Sequence, residues 1–262
     1  MEKGGKPVKT AVITGGAGGL GQAMTVDLLQ QGWQVYLLDL PSDQLDKMGR
    51  TTGVTALACD LCDSAALNAA AAQILAQSPA IDLLVYNAGL TQIGPFETQD
   101  MVAHRKLFEV NYFAAVSCAA LFLHAVRQAK GTHLAMSSVA GFSPLTQRTA
   151  YAASKHALEG FFKSLRSEER PHGVRVQIAA PSFVGTNIGR AEPQSGGLAR
   201  PGSATDAVDV MTPEQASVEI LRGLSKGQEM IPVGRVARLA WWLNRIAPRH
   251  YQKLMERNVG GS

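Results

Sequence analysis

Thr14-Gly15-Gly16-Ala17-Gly18-Gly19-Leu20-Gly21 is the stretch whose reading decides the fold. It follows a short apolar run, Val8–Thr14, and opens a helical pattern that continues to about Gln31. Glycines let the backbone turn tightly and approach a pyrophosphate, while N–H groups at a helix start attract its charge. A glycine-rich string alone is weak evidence, since some such strings are mere turns. Set between a strand and a helix at the head of an alternating chain, it reads as a dinucleotide cradle. Gly15, Gly18, Gly19, Leu20 and Gly21 are its expected contacts.

The alternation continues outward from that point. Strands are expected at Gln34–Asp39, Val54–Ala58, Ile81–Tyr86, Thr132–Ser137, Val174–Ala179 and Met230–Val233. Helices are expected at Ser42–Arg50, Asp63–Gln77, Asp100–Gln128 (one long helix) and Ala150–Arg170. The strands are continuous apolar runs, as expected where both faces of a sheet are covered. The pattern predicts an α/β fold with a doubly wound, Rossmann-type parallel sheet. After Pro181 the rhythm breaks, and Gly185–Val210 is expected as a long, mobile connection. Thr212-Pro213-Glu214-Gln215 then starts a helix with Thr212 as N-cap and Gln215 closing a capping box. The expected organisation is one domain over residues 1–234 with a helical tail over 235–262.

Asp39 ends the second strand, 24 residues after Gly15. A carboxylate there accepts from an adenosine ribose diol and repels a 2′-phosphate, so NAD is favoured over NADP. Asp60, with Leu61, follows the third strand beside the expected adenine edge. Asn87-Ala88-Gly89 follows the fourth, where the cofactor crosses the sheet. Each of these is also a natural turn residue. No cluster of metal-ligand type stands out. Cys59-x-x-Cys62 lacks a second ligand pair and reads as a strand end rather than a dithiol or metal site.

Tyr151 and Lys155, four apart on an expected helix, share one face. Ser138 closes the fifth strand at the same sheet edge as the glycine turn. A free tyrosine has a pKa of about 10, roughly three units too high for a base at neutral pH, and a neighbouring ammonium lowers it. Ser138 can donate to an alcohol or carbonyl oxygen while Tyr151 exchanges its proton.

Taken in order, Thr14-Gly-x-x-x-Gly-x-Gly21, Asp60, Asn87-Ala-Gly89, Asn111, Ser138 and Tyr151-x-x-x-Lys155 resemble the short-chain dehydrogenase/reductase family over about residues 8–235. Ser138 lies 13 residues before Tyr151, the family's separation, and Ser137 is out of that register. The resemblance implies Tyr151 as general acid/base. It implies that Lys155 lowers the Tyr151 pKa and holds the nicotinamide ribose, that Ser138 polarises the substrate oxygen, and that Asn111 helps to hold a water linking Lys155 to solvent. Pro181-Ser182-Phe183-Val184-Gly185-Thr186 resembles the segment bordering the nicotinamide, with Pro181, Val184 and Thr186 as contacts. Ser182 stands where the family usually has glycine. The resemblance also implies a homodimer or homotetramer formed through helices 100–128 and 150–170.

Ile93, Phe96, Val139, Phe142, Leu145, Phe183 and Ile188 are the expected substrate neighbours, with no Arg or Lys among the near-site positions. They suggest an apolar secondary alcohol or ketone, steroid-, terpene- or aryl-like. The alternative reading is a non-catalytic NAD(H)-binding sensor or scaffold, against which stand the intact Ser138, Tyr151 and Lys155.

The chain of 262 residues is 46% hydrophobic and 18% charged, with a formal charge of +4. Residues 235–258 alone carry +5, so the remainder is near −1 and nucleic acid is not an expected partner. Within that tail Val236, Leu239, Ala240, Leu243, Ala247, Tyr251 and Leu254 form an amphipathic stripe that Pro248 should split. Packing over the substrate pocket or a sister subunit is expected, with a membrane surface as the competing partner. Three cysteines and no apolar leader suggest a cytoplasmic protein.

Overall fold

A computed structural model describes residues 8–186, 198–199, 202 and 209–257. Its strands are β1 (Thr10–Thr14), β2 (Gln34–Asp39), β3 (Val54–Ala58), β4 (Leu83–Tyr86), β5 (Thr91–Gln92), β6 (Thr132–Met136), β7 (Arg175–Pro181), β8 (Leu198–Ala199) and β9 (Met230–Val233). Its α-helices are α1 (Gly19–Gln30), α2 (Asp43–Gly49), α3 (Ser64–Gln77), α4 (Met101–Phe108), α5 (Ala114–Ala129), α6 (Thr149–Glu169), α7 (Pro213–Ser225), α8 (Arg235–Ile246) and α9 (Pro248–Arg257).

Seven strands form one sheet in the order β3-β2-β1-β4-β6-β7-β9, and every neighbouring pair is parallel. β1, β4 and β6 are buried along their whole length because helices cover both faces. On one face Leu67, Ile74, Cys118, Phe122, Leu158 and Phe162 from α3, α5 and α6 close over the strands. On the other, Leu20, Met24, Leu28, Leu45 and Ile220 from α1, α2 and α7 do so. The expected doubly wound sheet is the one observed.

The order reverses beside β1. The chain moves outward through β2 and β3, then returns to β4 on the other side, and Thr14 pairs with Leu38 on one flank and Tyr86 on the other. Strand C-termini diverge at such a switch point and leave a crevice for a ligand. The Thr14 hydroxyl spans that crevice's floor, donating to Val85 O and accepting from the Asn87 and Ala88 amides.

Two expectations need correction. The helix expected as one piece over Asp100–Gln128 is two α-helices joined by a π turn, Glu109–Phe113. The wider turn sits where Asn111 reaches inward to Leu90 and Ser154, the placement typical of such insertions near functional sites. The run Met101–Ala129 is long and apolar enough to cross a bilayer by length and composition, and its inward side packs on the sheet. The connection 185–210 is also not wholly irregular. Leu198–Ala199 pairs antiparallel with Thr91–Gln92, and Val184 bridges to Met211. Residues 187–197, 200–201 and 203–208 of that connection lie outside the described residues.

The capping box at Thr212 and Gln215 is formed as expected. Pro248 does split the closing segment, into α8 and α9. The pair folds back over the turn after β6, with Ala237, Ala240 and Tyr251 buried against Val139. Tyr251 Oη lies 3.2 Å from Ser143 Oγ, and Asn244 donates to Phe142 O.

Candidate active site

One cavity of about 1060 Å³ runs along the C-terminal edge of the sheet from the glycine turn to the underside of α8 and α9. At its floor Gly15 has φ +65°, and a Cβ there would come 2.7 Å from Ala88 Cα, so only glycine lets the turn meet the β4 end. Asn87 Nδ2 donates to Gly15 O at 2.8 Å and fixes that meeting. No side chain caps α1, so its first amides face the cavity, the arrangement that binds a phosphate. Gly21 serves differently from its expected role. It is not part of the cavity wall, and a Cβ on it would strike Gly15 O and Gly16, so it packs helix on turn.

Asp39 reaches from β2 to the same turn, accepting from Ala17 N and from Leu40 N, each at 2.8 Å. Each carboxylate oxygen keeps a second acceptor position. Asp60, Leu61, Asn87, Ala88 and Gly89 continue the wall, followed by Pro181, Val184 and Thr186 on the opposite bank. A Cβ built on Gly19 would lie 3.2 Å from the Thr186 side chain, so that bank closes directly over the glycine turn. Ser182 is accommodated without disturbance. Its amide donates to Val233 O at 3.1 Å, and Gly234, at φ +90°, supplies the space its hydroxyl needs.

The cavity is therefore long enough, and polar at the right points, for a dinucleotide. Gly15, Gly18, Gly19 and Leu20 would hold its pyrophosphate, and Asp39 its adenosine ribose.

Ser138, Tyr151 and Lys155 line the same cavity beyond Gly89. Ser138 is the extended residue that opens the turn after β6, and its Oγ accepts from Ala140 N at 3.2 Å. Burial raises the Tyr151 phenol above its ordinary range, while a hydrogen bond with Ser138 and the Arg148 charge draw it back down. Lys155 Nζ lies 6.0 Å from the Tyr151 ring centre and donates to Met136 O at 2.8 Å. Its own pKa is brought down to about 8 by burial, with the Glu159 charge opposing.

Gly89 allows the close approach, since a Cβ there would lie 3.1 Å from Asn111 Oδ1 and 3.5 Å from Lys155 Nζ. The Asn111 side chain is already committed. Its Nδ2 donates to Leu90 O and Ser154 Oγ, both at 2.9 Å, and its Oδ1 accepts from Leu90 N. Asn111 stands behind the cavity wall, holding the chain after Gly89 against α6.

Of the expected substrate neighbours, Ile93, Val139, Leu145 and Phe183 line the cavity. Phe96 does not: it is 67% exposed on a short turn, edge-on to His104. Phe142 is drawn away by the tail, packing edge-on to Trp241. Ile188 lies outside the described residues. The expectation of no near-site Arg or Lys fails, because Arg148 lines the cavity close enough to Tyr151 for its charge to be felt there.

Arg148 carried a signal in sequence that went unused. An arginine just before a helix start opposes the macrodipole and needs another reason to be there. Glu159 was also missed, although it continues the four-residue ladder Tyr151, Lys155, Glu159, Lys163 along α6. It is buried and accepts from Ser137 Oγ at 2.8 Å and Lys163 Nζ at 2.6 Å.

The short chain dehydrogenase family model matches residues 9–195, and the chain belongs to that family. It is 30% identical over 262 residues to the Bos taurus dehydrogenase/reductase SDR family member 7B, covering 93% of this chain and 79% of that one. The crystal structure of a short-chain dehydrogenase from Streptomyces avermitilis superposes with a TM-score of 0.82 at 25% identity, covering 98% of this chain and 99% of that one. A Burkholderia cenocepacia short chain dehydrogenase solved in complex with NADP gives a TM-score of 0.80 at 24% identity, covering 95% and 97%. The chain is an oxidoreductase of this family.

Proposed function

We propose that the protein interconverts an apolar secondary alcohol and its ketone with NAD(H), using Tyr151 as general acid/base. The observation that carries this reading is one cavity shared by the glycine turn, Asp39, Ser138 and Tyr151, whose remaining wall is largely apolar. The bound nicotinamide supplies or accepts the hydride at the substrate carbon. The protein's own groups handle the oxygen and its proton. Ser138 donates to the carbonyl oxygen, and Tyr151 delivers the proton in reduction and takes it back in oxidation. Lys155, charged below about pH 8, holds the nicotinamide ribose. Ile93, Val139, Leu145 and Phe183, with Leu239 and Leu243 from above, enclose the carbon skeleton and exclude water.

The preference for NAD rests on Asp39. Its carboxylate is held by Ala17 N at the glycine turn, where it would accept from a ribose diol and repel a 2′-phosphate. Asp39→Ala combined with Leu40→Arg should move the NADH/NADPH ratio of kcat/KM toward NADPH by roughly a hundredfold, since removing repulsion and adding a charge-assisted bond together give about 3 kcal/mol. An unchanged ratio would refute the assignment. For the substrate, a panel of ketones should rank steroid-, terpene- and aryl-like compounds above phosphorylated sugars and acyl carriers. The reverse ranking would overturn the apolar reading.

The protein is also proposed to self-associate as a dimer or tetramer through α4–α5 and α6, where Met101, Val102 and Phe113 are exposed apolar side chains. The three cysteines, unpaired in this fold, suit a reducing compartment.

A further inference from the structure

Helix α8 has a second apolar side that its packing leaves uncovered. Ala237 and Ala240 face inward and are buried against Val139. Leu239, Trp242 and Ile246, three and four residues apart, fall together on the outer side and are 60%, 63% and 76% exposed. Their spacing places Arg235, Arg238 and Arg245 beside them on exposed positions, and α9 adds exposed Arg249 and Lys253. Arg238 is steadied by Glu219 at 3.2 Å, and the Arg245 guanidinium lies 4.2 Å from the centre of the Trp241 ring. These charges are thus held alongside the apolar strip.

Indole, leucine and isoleucine interleaved with arginine form the surface of a helix lying among lipid headgroups. The charge distribution points to an anionic partner. Residues 235–257 hold six basic side chains against Glu256 alone, whereas the rest of the chain is near −1. A second copy of the same face would bring +5 against +5. The cavity adds a geometric reason, because exposed Leu239 and Leu254 are also part of its wall. The apolar strip and the cavity mouth are continuous.

We propose that the outer face of α8–α9 docks on an anionic lipid surface and sets the cavity mouth against the headgroups. Binding to lipid is read directly and does not depend on the proposed reaction or substrate, so failure of one reading leaves the other standing.

The test is sedimentation of the full chain with vesicles of phosphatidylcholine alone and of phosphatidylcholine mixed with phosphatidylglycerol. The protein should sediment with the mixed vesicles, be released by high salt, and stay in solution with the neutral ones. Trp242→Ser with Ile246→Ser should lower the partition coefficient roughly tenfold or more, since both side chains lose their place among the headgroups. Arg249→Gln and Lys253→Gln should each lower it about fivefold. Circular dichroism and NADH fluorescence, unchanged in these variants, would show that the fold and cofactor site persist.

Three outcomes would overturn the proposal: no sedimentation with mixed vesicles, sedimentation indifferent to Trp242 and Ile246, or self-association that disappears with their replacement. The last would mean that a second copy covers the strip.

Discussion

At the scale of single residues, the ladder down α6 ties reactivity to a buried carboxylate. Lys155 has its pKa brought down to about 8, and Glu159 is the charge that keeps it from falling further. Glu159 in turn faces Ser137, Lys163 and the positive charge of Arg166, while Lys155 donates to Met136 O and lies near the Tyr151 ring. Replacing Glu159 with Gln removes the negative charge that favours protonated Lys155, so Lys155 should lose its proton at a lower pH. The alkaline limb of kcat/KM for NADH should move toward acid by about one pH unit, with a smaller change at pH 6. A variant that loses activity equally at every pH would show that Glu159 only supports the fold. Tyr151, Lys155 and Ser138 were legible in sequence through motif order. Arg148 was marked only by its place just before a helix start, because its approach to Tyr151 depends on how the chain enters α6 after the left-handed Gln147 (φ 58°).

At the scale of elements, the sheet and its helices were read to within two residues at most ends, because buried parallel strands are unbroken apolar runs. What sequence periodicity did not reveal was the π turn at Asn111, since one inserted residue hardly disturbs a helical pattern. The β5–β8 pair also escaped, as two residues are too few to show any period. β6 contains a further feature, His133, fully buried with Nδ1 2.6 Å from the Tyr86 hydroxyl. Burial lowers its pKa from 6.5 to about 4. The unfolded chain therefore binds the proton first as pH falls, and the stability present above pH 6.5 is lost progressively toward pH 4. The loss from this site should be about 3 kcal/mol. His133→Phe should flatten that part of the stability curve, whatever its absolute stability. Urea melts of both proteins between pH 7 and pH 4 check this, and parallel curves would contradict it.

At the scale of the whole molecule, three layers and a folded-back helix pair convert a sheet edge into an enclosed site. The sheet brings the glycine turn and Asn87 to one crevice, α6 adds Tyr151 and Lys155, and α8–α9 provide the apolar cover. The stripe in the closing segment was readable as amphipathic. Which side of α8 turns inward is decided by packing: Ala237 and Ala240 take the inner side and leave Leu239, Trp242 and Ile246 outside. The long-helix face invites its own test. Phe113 is 49% exposed, so Phe113→Asp should leave the monomer folded and shift the mass measured by light scattering toward that of one chain. An unchanged mass would place any interface elsewhere.

The central claim, that one cavity joins a nicotinamide site to a tyrosine acid/base, is tested most directly by Tyr151→Phe, which removes one oxygen atom and little else. Single-turnover reduction of a responsive ketone by bound NADH should slow by at least about a thousandfold, while NADH titration by fluorescence gives an unchanged Kd. Turnover within tenfold of the unmodified protein, with NADH bound equally well, would contradict the account.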